Sequence, residues 1–156
     1  MSIGARIALV RPGGGLVFQA ASQRTDLINP LMTQTQMIAG LQWLVAKGHV
    51  FELTAARFDH HDDHGLGIAP VYAGTHARGW AVDGWPLASK KAGDYLDAGD
   101  ARFQAFLRDA RLMPYLMQIG LTSDCYTPAN IAAGGATVYL DDGGPHVHLG
   151  FRIQSL

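Results

Sequence analysis

Residues 136–153 decide the reading of this chain: Ala136-Thr-Val-Tyr-Leu140, then Asp141-Asp-Gly-Gly-Pro145, then His146-Val-His-Leu-Gly-Phe-Arg-Ile153. Two β-prone stretches flank a segment rich in turn-formers, which is the pattern of a hairpin. Successive side chains of a strand point to opposite faces. His146 and His148 therefore share one face, while Val147 and Leu149 point into a core. Further upstream stand His76 and Asp83, with six residues between them. Two imidazoles and one carboxylate are a common ligand set for a catalytic zinc, which keeps one coordination position open for water. One member of the His146/His148 pair can bind the metal while the other reaches the water or the substrate.

Composition narrows the alternatives. A chain of 156 residues fits one domain, 1–156, large enough to bury roughly two-thirds of its unfolded surface. Apolar residues at 48% and charged residues at 16% suit a globular protein rather than a membrane one. A net charge of −1, with Lys and Arg scattered, argues against a nucleic-acid partner, because counterion release needs a concentrated basic face. Cys125 is the single cysteine, so an internal disulfide and cysteine-based zinc sites are excluded. The N-terminal residues carry no charged region followed by a long apolar stretch. The expectation is synthesis in the cytoplasm with no signal peptide, no membrane insertion and no obligate protein partner.

Along the chain, residues 6–11 and 16–20 read as short strands around Pro12-Gly-Gly-Gly15, making residues 1–28 an N-terminal hairpin arm. Asn29-Pro30 reads as a helix start. Met37, Ile38, Leu41, Leu44 and Val45 then recur at helical spacing up to a stop at Gly48. Residues 49–56 read as a strand, with Phe51 and Leu53 on one face. Residues 58–75 read as a long loop of Asp, His and Gly. Trp80 to Asp83 reads as another strand. A helix from about Asp100 to Met113 buries Phe103, Phe106, Leu107 and Ala110, and Pro114 interrupts it. A short helical piece follows from Leu116 to Gly120. The expected class is α+β, with a small antiparallel sheet carrying the site and packed against two or three helices.

Here the motifs reach a family. Thr75-His-Ala-Arg-Gly-Trp-Ala-Val-Asp83 resembles the S/T-x-H-x-x-G-x-A-x-D pattern of the D-alanyl-D-alanine metallopeptidases, with Thr75 directly before His76. The distal H-x-H is similar to that of the wider group of lysostaphin-type enzymes, D,D-peptidases and hedgehog domains. Thr54-Ala-Ala-Arg57 is similar to the S/T-x-x-R element upstream of that family's first histidine. The resemblance covers residues 30–153. It implies a hedgehog/D,D-peptidase-like fold, with His76, Asp83 and His148 as zinc ligands. It also implies His146 as a catalytic neighbour and Arg57 as a substrate-binding residue.

One departure stands out. Many enzymes of this kind place a Glu base three residues before the last ligand, and Pro145 occupies that position here. His146 is the first choice for the missing base, and Asp141 or Asp142 the second. Arg57 offers a planar two-pronged donor for a substrate carboxylate.

Each residue also has a plainer reading. His76 alone is a loop histidine, Asp83 alone caps a turn, and Arg57 alone forms a surface ion pair. His60, His61 and His64 read as solvated loop residues or a second metal site, with His64 the better candidate to line a cleft. Trp80 and Trp85 read as core residues or a stacking platform, and Cys125 as a buried small hydrophobe. Asp124 and Asn130 have no assigned role.

The expected function is a zinc metallopeptidase that hydrolyses peptide bonds of bacterial peptidoglycan, similar to phage endolysins and acting at the cell wall. Two alternatives stand beside it. One is a non-catalytic zinc-binding structural or virion protein that retains the peptidase scaffold; the other is a zinc hydrolase of a different amide or ester. Two histidines and one aspartate also admit cobalt, nickel or iron.

Overall fold

The computed structural model describes residues 1–55, 81–128, 137–140 and 146–151, without the side chains of residues 137 and 139. Its elements are α1 (Ile3–Leu9), β1 (Leu16–Phe18), α2 (Ala21–Ile28), α3 (Thr35–Ala46), β2 (Phe51–Ala55), β3 (Ala81–Pro86), α4 (Ala101–Ala110), β4 (Leu116–Leu121), β5 (Thr137–Leu140) and β6 (Val147–Phe151). The α+β class stands, with four helices described where two or three were expected. Among the described residues no helix is long and apolar enough to cross a membrane.

The sheet is larger than expected and mixed. Six strands run in the order β1-β2-β3-β6-β4-β5. The inner pairs β2/β3, β3/β6 and β6/β4 are antiparallel, whereas the edge strands β1 and β5 join β2 and β4 in parallel. The expected hairpin of β5 and β6 is therefore corrected, because β4 lies between them. Residues Leu116–Leu121, read as a helical piece, form that intervening strand. Ile119 and Leu121 of β4 stand opposite Leu149 and Val147 of β6, completing one apolar face. Tyr115, at φ 65°, makes the left-handed turn that redirects the chain from α4 into β4.

The N-terminal hairpin arm is also corrected. Ser2 caps α1, its Oγ accepting the Ala5 N–H at 3.3 Å. Arg6, Leu9 and Val10 face inward at helical spacing. The buried Arg6 guanidinium donates to the Leu27 carbonyl at 3.0 Å, Thr33 Oγ1 at 2.7 Å and the Thr33 carbonyl at 2.9 Å. These bonds hold α1 against the α2–α3 connection, and desolvation pushes the Arg6 pKa down. An aliphatic-looking stretch thus becomes a helix whose charged residue is its internal anchor.

Asn29 ends α2 rather than starting α3: its N–H bonds the Thr25 carbonyl at 3.2 Å. From Thr35 onward the helical spacing holds, with Met37, Ile38, Leu41 and Leu44 in the core. Gly48, at φ 88°, supplies the expected stop. Asp100 caps α4 through a 2.7 Å bond from the Arg102 N–H, and Phe103, Phe106, Leu107 and Ala110 are buried as read.

The core lies on one side of the sheet. Leu53, Gly84, Val147 and Leu121 align across four strands, with Val82, Leu149 and Ile119 in the next row. Helix α3 crosses this face closely enough that a Cβ on Gly40 would sit 2.2 Å from the Phe151 ring. Phe106 of α4 stacks on Phe51 at 5.5 Å. Alternation then sends the residues between these rows, Asp83 and His148 among them, to the opposite face.

Candidate metal centre

Asp83 of β3 and His148 of β6 are direct partners in the antiparallel ladder. Residues opposite each other in such a pair project from the same face. Asp83 Oδ1 lies 2.8 Å from His148 Nδ1. Just before β6, His146 brings its Nε2 to 3.9 Å from the same Oδ1. One carboxylate oxygen thus stands between two imidazoles, as period-two spacing of the histidines requires.

The local sequence makes this possible. Val82 and Leu149 drive both strands onto the core, fixing the faces of the residues that alternate with them. Gly84, next to Asp83, leaves room for β2 to close on β3: a Cβ there would lie 2.2 Å from the Glu52 carbonyl oxygen. At the other end of β2 the register slips between Leu53 and Ala55, making Thr54 the extra residue of a bulge. The Thr54 carbonyl accepts from Gln23 Nε2 at 2.9 Å, tying α2 to the strand that leads toward Arg57.

Burial sets the electrostatics. Asp83 and His148 are each 6% exposed, and His146 is half-buried. Water screens so buried a pair little, so each group depends on its partner. An ionised carboxylate only accepts, so Nδ1 is the His148 ring nitrogen placed to donate to Asp83. On the far side of the ring, Nε2 faces the Gln118 side-chain nitrogen at 3.4 Å.

Two donor types that zinc takes, a carboxylate and an imidazole, stand together here. Neighbouring ligand atoms of a tetrahedral zinc lie roughly 3.3 Å apart, given bonds of about 2.0–2.1 Å. Between the two expected ligands that are described, Asp83 Oδ1 and His148 Nδ1, the distance is 2.8 Å, which a bound ion would lengthen. Among the described residues no group of three His, Cys, Asp or Glu is gathered tightly enough to form a complete metal cluster. The third expected ligand, His76, lies outside the described residues, as does Arg57.

The other candidates divide the same way. Trp80, His60, His61, His64, Asn130, Asp141, Asp142 and Pro145 lie outside the described residues. Trp85 is engaged in packing: its Nε1 donates to the Leu96 carbonyl at 2.7 Å and its ring lies 5.1 Å from Phe103. Cys125 is buried, and desolvation raises its thiol pKa. Asp124 is exposed.

Gln118 is the site residue that sequence reasoning missed. The signal was present in Leu116-Met-Gln-Ile-Gly-Leu121, where Met117, Ile119 and Leu121 alternate with Gln118 and Gly120 at the period of a strand. Among known proteins, no family model, no curated protein and no solved structure matches the chain.

Proposed function

We propose that this protein is a zinc-dependent peptidase of bacterial peptidoglycan, with His76, Asp83 and His148 holding the metal, His146 beside it and Arg57 receiving the substrate. The observation that carries the reading is the registered Asp83–His148 pair with His146 at the same carboxylate oxygen. It brings the carboxylate of Asp83 together with the imidazoles of the H-x-H motif.

Zinc, when bound, would supply Lewis-acid polarisation of the scissile carbonyl and lower the pKa of the attacking water to about 7. The chain's own groups do the rest. His146, the more accessible of the two imidazoles, takes a proton from the water and passes it to the leaving amine nitrogen. A C–O bond forms, the C–N bond breaks, and the histidine returns to its starting state. Asp83 and His148 would hold the metal, and without it the Asp83 carboxylate orients the His148 ring. Arg57 pairs two N–H donors with a stem-peptide carboxylate.

Purified protein incubated with cell-wall sacculi tests the reading. Zinc-dependent release of muropeptides, abolished by chelator and by His148→Ala, is expected. No release in the presence of zinc, with the metal demonstrably bound, would overturn it.

Pro145, in place of a glutamate base, favours a second reading as a zinc-binding structural or virion protein without turnover. That reading predicts stoichiometric zinc, no release from sacculi, and no functional consequence of His146→Ala beyond local stability.

A further inference from the structure

We propose that Gln118 is the positioning residue of this site, holding the His148 ring by its Nε2 edge so that Nδ1 faces Asp83 and the metal. The inference rests on the zinc reading for its purpose, and on separate observations for its geometry.

Three features converge on this side chain. Gln118 is 2% exposed, and its amide lies 3.4 Å from His148 Nε2, opposite the edge that meets Asp83. A buried primary amide has no reason to lie there unless it is satisfied there. Its partner on β6 is Gly150, where a Cβ would sit 2.6 Å from Gln118 Cγ and 2.8 Å from Nε2. The amide therefore lies across the strand in a space that only glycine leaves open. Finally, the β4–β6 register slips between Leu116 and Gln118. Bulges re-aim side chains, and this one immediately precedes the glutamine.

The chemistry explains why an amide is used. In the metal-free protein His148 donates from Nδ1 to Asp83, which leaves Nε2 bare and able to accept from the Gln118 NH2 group. A cation at Nδ1 reverses the need, because Nε2 then carries the proton and requires an acceptor. Half a turn of the amide presents the Gln118 carbonyl instead. Glutamine serves both states without adding charge, as outer partners of metal-bound histidines do elsewhere.

The experiment compares wild type with Gln118→Leu, Gln118→Met and Gln118→Glu. Zinc affinity is read by competition with a chromophoric chelator, and the His148 ring nitrogens by 15N NMR of the metal-free protein at one fixed pH. Gln118→Leu should weaken zinc binding by ~10–100-fold and move the His148 nitrogen shifts away from the single Nδ1–H form. Gln118→Glu, which keeps an acceptor, should bind zinc within a few-fold of wild type. Gln118→Met substitutes for the leucine variant should that fail to fold. Wild-type zinc affinity together with wild-type shifts in a folded Leu or Met variant overturns the proposal. Wild type that binds no zinc defeats the metal reading alone, and the nitrogen shifts then decide whether Gln118 holds the ring.

Discussion

Asp83 Oδ1 and His148 Nδ1 meet at 2.8 Å across two central strands, from residues that are direct ladder partners. The contact is set by the register of β3 and β6, and the register is set by the apolar residues on the other face. A one-residue slip of either strand would turn its site residue into the core and its apolar partner, Val82 or Leu149, out of it. The site's geometry and the packing of the core are thus one structural fact.

The pair should stabilise the fold before any metal binds. His148→Ala removes the 2.8 Å partner of a buried carboxylate, which should cost about 1–3 kcal/mol. Urea denaturation in the presence of chelator measures it; unchanged stability would mean the carboxylate gains nothing from the imidazole.

His146 should separate binding from chemistry. It is half-buried and lies farther from Asp83 than His148 does. His146→Ala should keep zinc affinity within a few-fold while lowering turnover of sacculi by ~10²–10⁴-fold. Loss of zinc equal to that in His148→Ala would instead make His146 a ligand.

Much of this arrangement was legible in the residues. The period-two spacing of His146 and His148, with Val147 and Leu149 between them, told which side chains share a face. The helical spacing from Met37 to Leu44, and from Phe103 to Ala110, placed two helices correctly. Strand order was not legible, because pairing partners far apart in the chain are chosen by the whole core. Leu116–Leu121 alternates from Met117 onward, but six residues are too few for periodicity alone to separate strand from helix. With β4 misread, β5 and β6 looked adjacent and Gln118 lost its place in the site. At the N-terminus, Ile3 and Ile7 look like core residues yet are exposed, whereas Arg6 is buried on carbonyls supplied by Leu27 and Thr33. Nothing local to residues 6–11 announces those partners.

Gly84→Ala should be severe although it removes no hydrogen-bonding group. Its Cβ would meet the Glu52 carbonyl and the Phe51 ring at 2.2 and 2.5 Å. Backbone cannot swing aside as a side chain can, so β2 and β3 must part, at a cost of about 3 kcal/mol or more. Thermal or chemical denaturation reads the loss, and a stability within 1 kcal/mol of wild type, roughly the experimental spread, would show that the strands are less closely joined.

Gly150→Ala offers a contrast, since the three atoms nearest its Cβ would all belong to the flexible Gln118 side chain. Displacing that amide should lower zinc affinity by ~10–100-fold, as removal of an outer partner does, with every metal donor intact. Equilibrium zinc titration of the folded variant checks it.

At the N-terminus of α4, hydrogen bonds from the Arg102 side chain and backbone hold the Asp100 carboxyl below its usual pKa. A lowered folded-state value favours the folded chain above the ordinary carboxylate range, and the advantage fades as pH falls through that lowered value. The melting-temperature gap between wild type and Asp100→Asn should therefore be present at neutral pH and close on acidification. A gap that widens in acid would contradict the assignment.

Metal content tests the central claim most directly. Protein loaded with zinc, desalted and assayed by elemental analysis should carry about one zinc per chain, the stoichiometry of a single tetrahedral site. His76→Ala, Asp83→Asn and His148→Ala, each verified as folded, should fall far below that. Wild type that retains no zinc, or three variants that retain as much as wild type, would contradict the account.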